Sequence, residues 1–333
     1  GPLAFQSGVA TLEKTVREAV DARLDAAASV LDGRGGDFYA VGGAWRAFAR
    51  VAMAVERHPI QLLHQYVLPR SRALKAAAFA VTQSEASIAS MPGVSAKRAW
   101  SVPYAALLLQ KLLERGGFER VVFSANGLRE GVIYDRHPEF VLEGDPLIAG
   151  AHAMGRMAGP HRDLGPALHA FIKPVFDAEP ALFAPGRDPI LREAACALAD
   201  MGARMHPDHR ADLCAQQVMF APHGGLDHPE RAFLARALHH RYQGKKSRPA
   251  ECPTHRLLSD DQEEGALRLG LALRAGAALS GRSADILSLY ALERDGPALR
   301  LQVKPGYHDM VVERALQRFE QLAAVMNLDA EVI

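Results

Sequence analysis

The stretch RVVFSANGLREG at residues 120–131 decides the fold of the first part of the chain. Its first five residues are mostly apolar and β-branched, which predicts a strand, and a polar glycine-containing turn then leads into a predicted helix. The sequence FYAV at residues 38–41 predicts a second strand that runs into Gly42 and Gly43 and then into a helix. Strand, turn and helix twice over predict an α/β layer up to about residue 137.

The turn after the strand at 120–124 is the first candidate site. A turn of this kind presents backbone N–H groups at the start of a helix, an arrangement that favours an anion. A purely structural strand-to-helix turn is the alternative, and the residue types alone do not decide between the two.

From Asp145 onward the pattern becomes helical, and we place the domain boundary between Arg136 and Asp145. The exception is the segment 287–304, where apolar and polar residues alternate after the Asp295-Gly296 turn, which predicts a β-hairpin. Apolar residues recur at helical spacing elsewhere, and helices are predicted near 145–157, 187–205, 209–220, 228–243, 261–280 and 309–326.

Composition excludes several classes of protein. The chain has 333 residues, of which 49% are hydrophobic, so it has enough apolar mass for a sizeable core and for two domains. Its formal net charge of +1 disfavours a globally basic nucleic-acid binder. No apolar run is long enough to predict a membrane span, and no signal peptide is recognisable. Three widely spaced cysteines form no disulfide framework, so we expect a reducing cytoplasm.

The string SANGLREG at residues 124–131 resembles the Ser-x-x-Gly-Leu-Arg-Glu-Gly motif of the exopolyphosphatase / guanosine pentaphosphatase family (Ppx/GppA). Residues 38–44 resemble the Val-Gly-Gly-Thr strand and turn of that family, and residues 64–68 look like its His-x-Tyr-x-Leu. Residues 93–105 look like its arginine-containing helix before the last strand. The resemblance covers residues 1–137 well and continues more loosely to the C-terminus.

The resemblance implies an α+β, mostly helical fold. Residues 1–137 would be the remainder of the second lobe of an actin-like ATPase (ribonuclease H-like) fold, and residues 145–333 an all-α, HD-related domain with the β-hairpin. It also implies hydrolysis of terminal phosphoanhydride bonds in polyphosphate or guanosine pentaphosphate, with Mg²⁺ as cofactor of the full-length enzyme. Matching the motifs residue by residue identifies as substrate-binding candidates Gly42, Gly43, Arg98, Ser124, Asn126, Gly127, Arg129 and Glu130.

The chain departs from the family pattern at its catalytic positions. Neither the Asp-x-Gly-Ser-Asn-Ser loop nor the Asp-x-Gly-Gly-Gly-Ser loop is present, and no glutamate stands in the catalytic context. We therefore assign no catalytic residue and expect the C-terminal part of a longer enzyme, inactive alone, with the missing N-terminal lobe as partner. A non-catalytic module that binds polyphosphate or a guanosine alarmone is the alternative, and a homodimer is left open. Arg129 and Glu130 are expected to tie their turn to a neighbouring helix.

The segment LADMG at residues 198–202 looks like the Leu-His-Asp-Ile-Gly of HD domains, with Ala199 in place of the histidine. Asp200 remains, and His206 and His209 follow. A metal site that lacks a central imidazole binds metal poorly, so we expect no metal in this chain. An HD-type metal phosphohydrolase is the weaker alternative, and a buried, hydrogen-bonded Asp200 is the plain structural interpretation.

The densest basic tract follows the helix predicted at 228–243. It is the candidate path for a polyanion, because long polyphosphate needs repeated, salt-sensitive cationic contacts. A solvated helix end is the alternative, and the absence of an interleaved aromatic row argues against nucleic acid. Protonation of its histidines at lower pH is expected to strengthen binding. The residues of the tract are His239, His240, Arg241, Lys245, Lys246 and Arg248.

Overall fold

The computed structural model describes residues 12–244, 247, 249 and 252–333, except for the side chains of residues 12, 13 and 140. The chain divides into two compact units, Gly1–Leu142 and Glu143–Ile333, and this division falls inside the segment 136–145. Both described units are mostly helical and each contains a small three-stranded sheet. This architecture is compatible with the predicted α+β class, whereas the actin-like and HD-related assignments remain predictions.

The first unit holds three strands and nine helices within its described residues. The strands are β1 (Asp37–Val41), β2 (Tyr66–Pro69) and β3 (Arg120–Ser124). The helices are α1 (Leu12–Asp25), α2 (Ala28–Leu31), α3 (Gly43–Val55), α4 (Arg70–Thr82), α5 (Glu85–Ala89), α6 (Ala96–Ala99), α7 (Val102–Gly116), α8 (Leu128–Tyr134) and α9 (Glu139–Leu142).

Strand β3 lies in the centre of the first sheet, parallel to β1 and antiparallel to β2. The register pairs Val41 with Ser124, so the turns that follow β1 and β3 emerge at the same edge of the sheet. The fully buried rings of Phe48 on α3 and Phe123 on β3 contact each other at 6.0 Å between centroids and anchor the core. Burial of these apolar faces stabilises the layer and thereby positions both glycine-containing turns.

The second unit contains eight α-helices and three strands within its described residues. The strands are β4 (Tyr290–Asp295), β5 (Ala298–Val303) and β6 (Asp329–Val332). The helices are α10 (Pro146–Ala158), α11 (Leu164–Phe176), α12 (Arg187–Leu198), α13 (Arg210–Phe220), α14 (His228–Gln243), α15 (Asp260–Leu279), α16 (Ala284–Leu287) and α17 (Glu313–Val325).

Helix α14 is the central element of this unit, because almost all of its residues are buried, including charged ones. A capping box between Asp227 and Glu230 starts the helix, and Gly244 in the left-handed conformation ends it. Helix α15 packs closely on it, since a Cβ on Gly270 would lie 2.4 Å from the carbonyl oxygen of Ala237. Only a glycine permits this approach of the two helices.

The structure differs from the sequence-based expectations at several elements. Strands β4 and β5 form the predicted hairpin, but the predicted helix 187–205 ends at Leu198. Helix α11 was not predicted and contains Pro174, and strand β6, which pairs parallel with β5, was not predicted either. None of the described helices combines the length and the apolar character that a membrane crossing requires.

Candidate functional site

The glycine turn after β1 brings an arginine against the start of helix α3. Gly42 has a φ of 125°, a conformation that side-chain-bearing residues rarely adopt, and it precedes the first residue of α3. A Cβ on Gly43 would lie 3.2 Å from the guanidinium carbon of Arg98. The absence of side chains at this turn therefore lets the Arg98 guanidinium approach the backbone, and the structure brings Gly42, Gly43 and Arg98 together.

The turn after β3 is held by hydrogen bonds from its own segment. The Ser124 hydroxyl oxygen accepts a hydrogen bond from the Asn126 N–H at 3.1 Å. The Glu130 carboxylate accepts a hydrogen bond from the Gly127 N–H at 2.7 Å, which closes the first turn of α8 although Gly127 has no side chain to cap the helix itself. Arg46 Nη1 donates to the Ala125 carbonyl at 3.1 Å and ties the turn to α3.

Glu130 already supplies the negative charge that the start of α8 favours. The backbone N–H of Gly127 lowers the pKa of Glu130 most strongly, followed by its own N–H and then by the charges of Arg129 and Arg46. The carboxylate is therefore held ionised against the turn. A substrate anion at Gly127 would have to displace this internal carboxylate, so any binding by Ser124, Asn126 and Gly127 remains a prediction.

Arg129 does not tie the turn to a neighbouring helix, which differs from our expectation. Its side chain is 91% exposed, and its ion pair with Glu130 is long, at 3.9 Å. An exposed pair of this kind contributes little to stability. The expected structural role therefore falls to Glu130 and Arg46, and Arg129 projects into solvent.

The HD-like segment holds Asp200 in a buried polar arrangement. Asp200 is 5% exposed, and one of its carboxylate oxygens lies 2.8 Å from His161 Nδ1. Its other carboxylate oxygen lies 3.6 Å from Arg282 Nη1. Ala199, at the position of the missing histidine, is fully buried, and its carbonyl accepts a hydrogen bond from the Tyr242 hydroxyl at 2.9 Å. Asp200 is therefore a buried aspartate with a polar partner, as the structural interpretation of the sequence predicted.

His206 and His209 lie near each other with ring centroids 5.8 Å apart, and both side chains are exposed. Across the described ranges, no group of three histidine, cysteine or carboxylate side chains is arranged to hold a metal ion.

The basic tract at the end of α14 is not exposed where the structure describes it. His239, His240 and Arg241 are 2%, 0% and 7% exposed, because α14 lies between α13 and α15. Burial, followed by the charge of Arg236, lowers the pKa of His239 to about 4, although Asp212 lies 3.3 Å away. These three side chains therefore do not form the solvated cationic path that we expected. The remaining members, Lys245, Lys246 and Arg248, lie outside the described residues.

Sequence reasoning missed a group of arginines that comes together around Tyr242 at the same end of α14. The guanidinium carbons of Arg210 and Arg241 lie 5.2 and 4.8 Å from the centroid of the Tyr242 ring. Arg274 donates to the backbone carbonyls of Arg241 and Tyr242. These residues come from three helices, and no spacing in the sequence connects them.

Residues 186–333 match the family model described as the C-terminal domain of exopolyphosphatase. This match supports membership of the chain in the exopolyphosphatase / guanosine pentaphosphatase family, which the motifs at residues 38–131, outside the matched segment, also resemble. The two observations are independent, because the motifs lie in the first unit and the matched segment lies in the second. No curated protein matches the chain.

Proposed function

We propose that this chain is the part of a hydrolase that holds the substrate while terminal phosphoanhydride bonds of polyphosphate or guanosine pentaphosphate are cleaved. The observation that supports this most directly is the exopolyphosphatase match over residues 186–333. The glycine turns and Arg98 at one edge of the first sheet, and the arginines around Tyr242, suit phosphate oxygens. A reducing cytoplasm suits the three buried free cysteines.

The isolated chain is proposed to bind without catalysing hydrolysis. Phosphoryl transfer to water requires a group that orients the water and a clamp that neutralises the phosphate charge. In the two candidate sites, Glu130 accepts the Gly127 N–H and Asp200 is paired with His161. Both carboxylates are therefore already engaged, and we propose that the catalytic groups and Mg²⁺ belong to an N-terminal lobe.

The test is a paired measurement on the purified chain with long-chain polyphosphate and Mg²⁺. We expect calorimetric binding at low salt that weakens as salt is raised, together with no release of inorganic phosphate. A parallel titration with guanosine pentaphosphate would identify the preferred substrate. A phosphate-releasing activity that co-elutes with the chain through purification to homogeneity would contradict the proposal that the isolated chain binds substrate without hydrolysing it.

A non-catalytic regulatory module is the second candidate, favoured by the hydrogen bonds that already engage Glu130 and Asp200, the carboxylates of the two candidate sites. The coding sequence upstream of residue 1 distinguishes the two. Both phosphate-binding loops encoded in the same reading frame would support the hydrolase, and a frame without them would support the module.

An HD-type metal phosphohydrolase is a weaker proposal, because Ala199 replaces a ligand and Asp200 is paired with His161 and Arg282. We expect elemental analysis of the purified chain to find no stoichiometric Zn²⁺, Mn²⁺ or Fe. One tightly held metal ion per chain would contradict that expectation and show that His206, His209 or another histidine completes a site.

A further inference from the structure

Four arginines from four different helices converge at the C-terminal end of α14, and we call them the arginine cluster: Arg210, Arg241, Arg274 and Arg318. Arg210 and Arg241 share one aromatic partner, since both guanidinium groups lie within 5.2 Å of the Tyr242 ring centroid. Such cation–π contacts hold the two charges in place without neutralising them.

Arg274 joins the cluster through the end of the helix. Its Nη1 donates to the carbonyl of Arg241 at 3.4 Å and to that of Tyr242, two of the last carbonyls of α14. A Cβ on Gly244 would lie 2.5 Å from Arg274 Nε, so the guanidinium lies directly against that glycine. Gln321 of α17 donates to the Gly244 carbonyl, which brings Arg318, three residues earlier on α17, to the same place.

The described residues leave the charges of the arginine cluster without a paired carboxylate. Within the described part of the chain, none of the four side chains forms an ion pair with a carboxylate. Asp200 acts on Arg241 from a distance, but it is already shared between His161 and Arg282. Arg241 is only 7% exposed, and its Nε has no hydrogen-bond partner among the described residues. A buried guanidinium N–H without an acceptor is costly unless a ligand supplies one.

Burial and, after it, repulsion between neighbouring arginines lower pKa values within the cluster. Burial, followed by the charges of Arg318, Arg241 and Arg210, lowers the pKa of Arg274 to about 10. Burial and the charges of neighbouring arginines, including Arg314, also lower the pKa of Arg318. Like charges held this close together destabilise the folded state, and a bound anion would relieve that cost.

We propose that the arginine cluster is a binding site for an oligophosphate, which deepens the proposed function by locating where the phosphate chain is held. Guanidinium groups present forked N–H donors that match phosphate oxygens, and they remain charged across the physiological pH range. Several converging cations suit a ligand that carries several charges on adjacent groups, as an oligophosphate does. A single carboxylate would neutralise only a quarter of the cluster.

Inorganic tripolyphosphate is the probe, and Arg318→Gln is the principal variant, because Arg318 is half-buried and forms no ion pair among the described residues. Arg300→Gln is the matched control, since it removes the same charge from a half-buried arginine that is paired with Asp295 and Glu331. We expect Arg318→Gln to weaken tripolyphosphate binding about tenfold, the loss of one charge-assisted contact. We expect Arg300→Gln to bind like the parent.

Thermal unfolding provides the second measurement and the folding control. Tripolyphosphate should raise the Tm of the parent and of Arg300→Gln, but raise that of Arg318→Gln much less. The variant Arg210→Gln tests a second member on a different helix and should behave like Arg318→Gln. Equal binding by Arg318→Gln, Arg210→Gln and the parent, or equal losses in Arg318→Gln and Arg300→Gln, would overturn the proposal.

A titration with long-chain polyphosphate and one with guanosine pentaphosphate separate this proposal from the proposed function. Binding of either substrate that is unaffected by Arg318→Gln and Arg210→Gln overturns the site and leaves the proposed function standing. Cluster-dependent tripolyphosphate binding, without binding of either biological substrate, supports the site and contradicts the proposed function. A loss of affinity in both variants for only one substrate supports the site and identifies which oligophosphate it holds.

Discussion

The Glu130 carboxylate accepts a hydrogen bond from the Gly127 N–H at 2.7 Å and closes the turn between β3 and α8. Its pKa lies below the usual range because the ionised form is the one that accepts this bond. A carboxyl group with a lowered folded-state pKa stabilises the protein above its unfolded pKa. That stabilisation is lost as the pH falls through the folded-state pKa.

We therefore expect Glu130→Ala to lower the Tm by a few degrees at neutral pH, because the acceptor of the Gly127 N–H at the start of α8 is lost. Glu130→Gln should retain most of the Tm, since an amide oxygen still accepts the Gly127 N–H. The same variant should remove the part of the acid sensitivity that appears below about pH 4.5, the usual pKa of a glutamate. Unfolding curves of the three proteins between about pH 3 and 7 check this expectation. Identical curves for all three proteins would contradict it.

Arg129→Ala should leave the Tm unchanged within error, in contrast to Glu130→Ala. The Arg129 side chain is 91% exposed and its pair with Glu130 spans 3.9 Å, so the substitution removes a solvated charge and little else. Thermal unfolding of the two variants side by side measures the difference. A drop of several degrees for Arg129→Ala would restore the structural role that the sequence suggested.

His239 should remain neutral well below the usual histidine range, because its pKa is lowered to about 4. Its neighbours are Asp212, Arg236 and the ring of His240. The unfolded chain then binds a proton at a higher pH than the folded chain, so stability falls as the pH decreases from about 6.5 toward 4.

We expect His239→Gln to flatten the decline in stability over this pH range relative to the parent, as measured by urea unfolding at several pH values. Equal slopes in the two proteins would contradict the burial of His239. The same burial changes our expectation for polyphosphate, because acidification between neutral pH and about 5 cannot strengthen binding through His239.

Gly270→Ala should destabilise the second unit, because a Cβ would lie 2.4 Å from the Ala237 carbonyl and 2.5 Å from the His240 Cβ. Overpacking of this kind costs about 1–3 kcal/mol. Gly131→Ala is the matched control, since it adds the same methyl group inside α8 with nothing within 4 Å of it. That control should be stabilising by up to about 1 kcal/mol. A Gly270→Ala protein as stable as Gly131→Ala would show that the helices can separate without cost.

Much of the fold could be predicted from the sequence, because periodicity reports which face of an element is buried. Strands β1 and β3, helix α14 and the hairpin of β4 and β5 follow their patterns closely. The sequence did not predict strand β6, because all four of its residues are exposed and show no alternation of apolar and polar positions. Helix α11 was not predicted either, although its apolar face is buried, because Pro174 lies inside it and proline ordinarily disfavours a helix.

The candidate site in the first unit could be predicted in part, because its residues are neighbours in sequence or follow paired strands. The motif at 124–131 predicted a structured turn. Glu130 closes that turn by accepting a hydrogen bond from Gly127, three positions earlier in the sequence. The same structural role was expected for Arg129, and this prediction was wrong because the exposure of a helix face depends on what packs against it. Adjacent residues of the same polarity can therefore have different surroundings.

The sequence by itself carried the family resemblance, the expectation of an α+β class and the turn chemistry around Gly127, since each rests on local patterns of residues. Only the tertiary structure decided which charges are buried and which meet. His239, His240 and Arg241 look like a solvated tract in the sequence, but helices α13 and α15 cover them. Arg210, Arg274 and Arg318 are far apart in the chain and meet because α13, α15 and α17 surround the end of α14. Burial and long-range charge are properties of packing between elements, and no local pattern specifies them.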